Sequence, residues 1–261
     1  MGSAIAELRF VTQSENRAAA LAVIYESAPI ETRELESRID ASRRTVIRVV
    51  NSLEERGYLR ETGEGVRLTP FGDHLATQLD RVTASTETAV EFRELLRHAP
   101  PALADIPVES LAGADLLVAS DVDPFSILDR VLTLRAEATR IREVAPGVQK
   151  ESIDQLAERV RAGEDVDVET VISRQASDAA EDNLDYRDGH ATTVESNAVD
   201  IYIHPSELSF FAGVMDETAA IGVSKDGQPY ALAVSDDPDL HEAVTAVYER
   251  FRAEATLKSP E

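Results

Sequence analysis

Residues 41–70 read ASRRTVIRVVNSLEERGYLRETGEGVRLTP, and the order of elements in this stretch decides the fold. Ser42 suits an N-cap, because a short hydroxyl side chain accepts from an otherwise unpaired backbone N–H. The helix it opens is expected to run to Arg56, where Gly57 stops it. Tyr58-Leu59-Arg60 and Val66-Arg67-Leu68 read as two short strands around Thr62-Gly63-Glu64-Gly65, a glycine-containing hairpin loop. Thr69-Pro70 sets an N-cap before a proline at the first helical position, so a further helix opens at once.

Upstream, Asp40-Ala41 is a turn, and a brief helix from Glu31 to Arg38 buries Leu35 and Ile39. Pro29 stops a preceding helix capped by Ser14, whose Ala18, Leu21, Ala22 and Tyr25 recur at three and four residues. Ile5, Leu8 and Val11 mark one face of a short opening helix. Three core helices, a tight turn between the second and third, and a hairpin after the third make a winged helix-turn-helix.

Burial then assigns the faces of the third helix. Val46, Val50 and Leu53 fall at steps of four and three and face the core, which turns Arg44, Thr45, Arg48 and Asn51 outward. Ser42, Arg43 and Arg44 lie at the helix start, where backbone N–H groups point at any nearby phosphate and side chains reach the base edges of double-stranded DNA. An arginine there can pair with guanine in a bidentate way. From Ala41 to Leu53 there are thirteen residues and no acid. The plainer alternative is a solvated arginine face. Arg60 and Arg67 flank the wing and would position it on phosphates without reading sequence, although hairpin solubility accounts for them equally well. Glu61 and Glu64 repel phosphate and argue against deep insertion of the wing.

The whole chain has 261 residues, 49 acidic against 26 basic side chains, a net charge of −23 and no cysteine. Disulfides, thiolate metal sites and thiol catalysis are therefore excluded. No apolar run approaches the roughly 18 residues of a membrane span, and the N-terminus lacks the pattern of a signal peptide, so a cytoplasmic protein with no membrane attachment is expected. The charge is uneven, with 13 acids and 10 arginines in residues 1–80 and 36 acids and 16 basic residues in residues 81–261. Two regions with different partners are implied. Only Lys150, Lys225 and Lys258 are lysines. Such a surface looks like that of proteins from salt-accumulating archaea, where a Debye length of roughly 3 Å at 1 M screens self-repulsion. An ordinary acidic bacterial protein is the alternative.

A long helix from Pro70 to about His98, carrying Phe71, Leu75, Leu79, Val82, Val90, Leu95 and Leu96, is expected to lead out of the first region, with Phe71 and Leu75 packed on it. Pro100-Pro101 and Pro107 mark a hinge. The expected domains are thus residues 1–98 (DNA binding and connector helix), 99–108 (hinge) and 109–261 (effector sensing or dimerisation). In the last of these, Asp115–Ser120, Arg140–Val144 and Val166–Ser173 read as strands alternating with helices Pro124–Ala138, Lys150–Ala162 and Gln175–Asp185. Four closely spaced strands follow, Ala198–His204, Leu208–Val214, Ala219–Ser224 and Pro229–Val234, with Asp226-Gly227 turning the last hairpin before the helix Pro238–Ala255. The fold class is α+β: a winged helix-turn-helix joined by a long helix to a C-terminal α/β domain with a mixed sheet.

No phosphate loop, nucleophile elbow or zinc motif appears, and His74, His98, His190, His204 and His241 never fall at ligand spacing, so neither an enzyme nor a metal or cofactor is expected. Ligands of α/β sheets lie beyond the carboxyl ends of strands. That rule selects Ser120, Asp121, Asp123, Ser173 and Arg174 as candidate effector-binding residues, of which Arg174 suits an anionic metabolite and the aspartates read equally as solvated surface.

The stretch from Ala41 to Leu59 and the sequence Arg67-Leu68-Thr69-Pro70-Phe71-Gly72 resemble the recognition helix and wing of archaeal and bacterial winged-helix regulators. Three further stretches carry a second likeness: Ser14-Glu15-Asn16-Arg17, the run Phe210-Phe211-Ala212-Gly213-Val214 with Ala219-Ala220-Ile221-Gly222-Val223 and Ser235-Asp236-Asp237-Pro238, and the closing Tyr248-Glu249-Arg250-Phe251-Arg252-Ala253-Glu254-Ala255. They resemble the middle-domain family named after the methanogenesis regulatory protein Fil, common in haloarchaeal regulators. The resemblance implies a DNA-binding transcriptional regulator with a ligand-sensing domain. A homodimer on double-stranded DNA, responsive to a small-molecule effector, is the expected function, because one recognition helix sees only a few base pairs. The alternative is a protein-interaction adaptor that binds neither DNA nor ligand.

Overall fold

The computed structural model describes residues 2–182 and 198–258, and the chain divides into two compact units, Met1–Thr86 and Glu87–Glu261. The first unit holds α1 (Gly2–Thr12), α2 (Glu15–Ser27), α3 (Thr32–Arg38), α4 (Arg43–Glu54), β1 (Leu59–Thr62), β2 (Gly65–Leu68) and the start of α5 (Pro70–Glu91). It is a winged helix-turn-helix. Ser14 and Ser42 accept from the Arg17 and Thr45 amides, so both expected caps form. Thr69 Oγ1 accepts from the Gly72 amide at 3.0 Å and donates to the Gly57 carbonyl at 2.6 Å, tying the start of α5 to the end of α4.

Val46, Val50 and Leu53 are buried as their spacing requires, and Val49 joins them, against Leu21, Ile24 and Leu35. The buried face of α2 is Ala20, Leu21 and Ile24, whereas Ala18, Ala22 and Tyr25 are exposed: the helix turns its larger aliphatic residues inward. Only Val11 of the expected α1 face is buried. Ile5 and Leu8 are exposed, and α1 is instead fastened through polar groups. The Tyr58 hydroxyl donates to Glu7, and Arg56 pairs with the same carboxylate at 3.1 Å. These contacts hold the Glu7 carboxyl below its ordinary value, while burial and then the Glu7 bond push Tyr58 up to about 12. The wing is anchored as well: Ile30 and Val66 exchange backbone hydrogen bonds of 3.1 and 2.9 Å. A Cβ on Gly65 would stand 2.5 Å from the Ile30 carbonyl oxygen, so this close approach demands glycine.

The expected continuous helix to His98 is broken. α5 ends at Glu91, and α6 (Arg93–His98) starts after Phe92, whose turn out of helical geometry sinks Phe92 and Leu95 into the core of the second unit. The division between units therefore falls at Thr86/Glu87, before the proline-containing stretch, because Leu103 and Leu111 also belong to the second core. Phe71 rests against Tyr58 at 5.3 Å but remains half exposed, and Leu75 and Leu79 pack on the first core.

The second unit contains β3 (Asp115–Val118), α7 (Ser126–Glu137), β4 (Arg140–Val144), α8 (Lys150–Arg161), β5 (Asp167–Ser173) and α9 (Arg174–Asp182). After the undescribed stretch come β6 (Val199–His204), β7 (Phe210–Met215), β8 (Thr218–Lys225) and β9 (Gln228–Ser235). The unit closes with α10 (Pro238–Glu254) and β10 (Thr256–Leu257). The expected end of α9, residues 183–185, and His190 lie outside the described residues. The strands form one mixed sheet in the order β10-β6-β5-β4-β7-β8-β9-β3, with β4, β5 and β6 parallel and the other pairings antiparallel. Asp226 and Gly227 both take positive φ, 52° and 78°, as a tight two-residue hairpin turn requires. Strand alternation gives the sheet two apolar faces. Val144, Val171, Ala212 and Ile221 meet α6 and α10 on one, and Ile141, Val168, Met215 and Leu232 meet α7 and α8 on the other.

A second turn locks this sheet. Asp216, at φ 50° between β7 and β8, accepts from the Thr139 amide (2.9 Å), the Thr139 hydroxyl (3.0 Å) and the Arg140 amide (2.8 Å). Partial burial pushes its carboxyl up, but these donors and the Arg140 charge outweigh burial and hold it below its ordinary value. Asp216→Asn keeps the backbone geometry and is expected to cost about 1 kcal/mol at neutral pH. Because the folded carboxyl is depressed, that contribution is present above about pH 4 and is lost as pH falls through the folded value. Unfolding midpoints of the two proteins should thus differ at pH 7 and approach each other as pH falls through the folded value of the Asp216 carboxyl.

Candidate functional site

Helix α4 presents a narrow polar arc. Arg44, Arg48 and Asn51 are exposed on the side of α4 opposite Val46, Val50 and Leu53, with Thr45 half-buried at the arc's edge. Ile47, which the spacing argument did not select, sits between them at 42 % exposure. Its position three residues after Arg44 and four before Asn51 was the available signal. Among the described residues, no carboxylate lies within ion-pair distance of Arg44, Arg48 or Arg60. Arg43 pairs loosely with Glu36 and Arg67 with Glu64, each at 3.8 Å. Ser42 is exposed, but its hydroxyl is engaged by the Thr45 amide and lies 3.0 Å from the Thr45 hydroxyl.

In the wing, Arg60 and Arg67 are direct cross-strand partners. Like charges placed opposite each other are unfavourable, and an anion between them removes the conflict. Arg43, Arg44, Thr45, Ile47, Arg48 and Asn51 of α4 and the arginine pair of β1–β2 have the chemistry to engage phosphate oxygens, guanine edges, adenine edges and methyl groups.

The residues expected at an effector site are not brought together. Ser120, Asp121 and Asp123 form an exposed turn after β3, in which Ser120 Oγ accepts from the Asp123 amide at 3.2 Å. Ser173 ends β5 and Arg174 opens α9, five strand positions away, roughly 24 Å at about 4.8 Å per strand. Ser173 is buried on the Val171 side of its strand and caps α9 by accepting from the Ala176 amide. Arg174 is exposed. The sequence order of strands concealed this separation, because β3 joins the sheet beyond β9.

A cavity of about 160 Å³ lies elsewhere, between the sheet and α7, α8 and α9. Its floor alternates correctly along the strands: Glu143 from β4 with Ala145 just after it, Val168, Thr170 and Ile172 from β5, Ile201 from β6 and Phe211 from β7. Ile127, Val131 and Arg135 of α7 and Leu156 of α8 complete the walls. Gly213 stands opposite Glu143 in the register, and a Cβ there would come within 2.7 Å of the Phe211 ring, so glycine makes room for that ring beside Glu143. Arg135 Nη1 pairs with Glu143 Oε1 at 3.1 Å, both side chains largely buried. Neither residue was selected from sequence, since a lone acid and a lone arginine on separate elements carry no spacing signal.

Among the described residues, no helix is long and apolar enough to cross a membrane, and no group of three histidine or carboxylate residues could hold a metal ion.

No curated protein matches the sequence. Among solved structures, TrmBL2, described as an archaeal chromatin protein with a novel mode of DNA binding, aligns over 92 % of each chain with 14 % identity and a TM-score of 0.40. PigF, solved with SAH, gives 0.22 at 13 % identity over 78 % of this chain and 61 % of its own. The O-methyltransferase NcsB1 from neocarzinostatin biosynthesis gives 0.25 at 19 % over 74 % and 66 %. Superpositions this loose carry no argument. Family models are more informative: residues 5–91 match the HVO_A0261 N-terminal domain. Residues 124–254, half of the chain, match the middle domain of the methanogenesis regulatory protein FilR1, and the chain belongs to that family.

Proposed function

We propose that the protein is a sequence-specific DNA-binding transcriptional regulator that acts as a homodimer and responds to a small-molecule effector through its second unit. The observation that carries this reading is the arc Arg44, Ile47, Arg48 and Asn51 on the helix after the tight turn, with both central arginines exposed and free of carboxylate partners among the described residues. Arginine suits guanine, asparagine suits adenine, and Ile47 suits a thymine methyl group. Ser42, Arg43 and Thr45 frame the helix start, and Arg60 and Arg67 position the wing on phosphates. Dimerisation follows from the few base pairs one such helix can read. The family membership and the chiefly apolar cavity support sensing rather than catalysis in the second unit. The acid-rich, lysine-poor composition is read as adaptation to high internal salt.

Selection from a pool of random duplexes, with the full chain in about 1 M KCl to screen its net charge, tests the proposal. Enrichment of a pseudo-palindrome, with half-sites separated by whole helical turns, is the expected result. A pool that shows no enrichment while the protein remains folded would favour the adaptor reading.

A further inference from the structure

The cavity of the second unit combines chiefly apolar walls with a buried ion pair, Arg135 and Glu143, whose carboxylate is incompletely satisfied. Glu143 is 1 % exposed; its Oε1 is taken by Arg135 at 3.1 Å, and its Oε2 has no hydrogen-bond donor among the described residues. A buried carboxylate oxygen left without a donor is costly, so a donor brought by a ligand gains more here than on the surface. The carboxylate faces the cavity because β4 alternates: Ile141 and Glu143 share the side covered by α7 and α8, while Val144 faces α10.

The remaining walls set the ligand's other properties. Val131, Val168, Ile201 and Phe211 offer apolar contact, and about 160 Å³ is close to the size of an engineered cavity that takes up benzene. A single water would leave most of that volume empty. Charge argues for a neutral molecule. Arg135 already balances Glu143, and Lys258, whose ammonium donates to Ser177, also lines the cavity, so an added cation would be buried without compensation.

We infer that this cavity is the effector site, and that it takes a small, neutral, chiefly apolar molecule of about one six-membered ring with a single O–H or N–H donor directed at Glu143 Oε2. The inference rests on the reading of the second unit as a sensor. It replaces the polar, anion-seeking site expected at Ser120, Asp121, Asp123, Ser173 and Arg174.

Phenol and toluene are suitable probes, matched in shape and differing in hydroxyl against methyl. Affinities of both are measured by calorimetric titration on the full chain and on the apolar replacement Arg135→Met/Glu143→Leu. Taking the ratio of the two affinities in each protein cancels their different preference for water. The phenol-to-toluene ratio is expected to fall at least tenfold in the double variant, with toluene binding retained. Glu143→Gln, which keeps the volume and a carbonyl oxygen for Arg135, should lower the same ratio and serves if the double variant does not fold. An unchanged ratio would remove Glu143 from recognition, and binding of neither probe to the unmodified protein would remove the cavity as a ligand site. Repeating the titration on the duplex complex isolates the sensor reading: phenol binding that leaves duplex affinity unchanged overturns sensing while the site stands.

Discussion

Replacing Arg44 and Arg48 together by alanine is expected to weaken binding to the selected duplex by about 2–6 kcal/mol, with about 1–3 kcal/mol for each alone. Both guanidiniums project from one side of α4, one helical turn apart, and neither is held by a carboxylate among the described residues. No internal ion pair would have to break before they met DNA, so their contacts are expected to contribute nearly in full. Arg43 and Arg67, loosely held by Glu36 and Glu64, should matter less. Because Arg44 and Arg48 are close neighbours, the double loss need not equal the sum of the singles. Fluorescence titration on the selected site and on scrambled duplex separates base contact from phosphate contact. A larger loss on the selected site means that the side chains read bases; equal losses mean that they touch only the backbone. Ile47→Ala, in the same assay, should relax preference at a thymine position while leaving scrambled-duplex affinity unchanged.

The second large effect concerns stability. Glu143→Ala strands the Arg135 guanidinium, 13 % exposed, in an apolar cavity and is expected to destabilise the second unit by about 3–5 kcal/mol. That is a large share of the roughly 5–15 kcal/mol that holds a domain folded. Arg135→Met/Glu143→Leu removes both charges at similar volume and should restore most of the loss, since an intact buried pair gains little over well-packed apolar residues. Urea unfolding of the three proteins closes the comparison. If Glu143→Ala is as stable as the unmodified chain, the pair is solvated and the cavity is wetter than its walls imply.

Much of the architecture was written in local signals. Ser42, Gly57 and Thr69-Pro70 bounded their elements because caps and breakers act through the backbone within three or four residues. The pair Asp226-Gly227 fixed its hairpin for the same reason. Readings that depended on distant partners fared differently. Ile5 and Leu8 fit an apolar stripe, yet no core lies against them, and the break at Phe92 arose because the second core claims that ring. The arc on α4 was readable since one helix carries all of it. The cavity was not: its polar pair joins α7 to β4, and its floor is assembled from strands whose order in the sheet departs from their order in the chain.

The bridge between Ile30 and Val66 makes the wing a limb of the helical body rather than a freely swinging flap. Any tilt of the hairpin tip must pull on the segment entering α3, and through it on the turn that aims α4. Amide protons of Ile30 and Val66 should accordingly exchange with solvent at the pace of the surrounding helices, far more slowly than those at Gly63 and Glu64. Arg60, close to this root, would then meet a phosphate as a fixed ruler, setting how far along the groove the reading helix comes to rest.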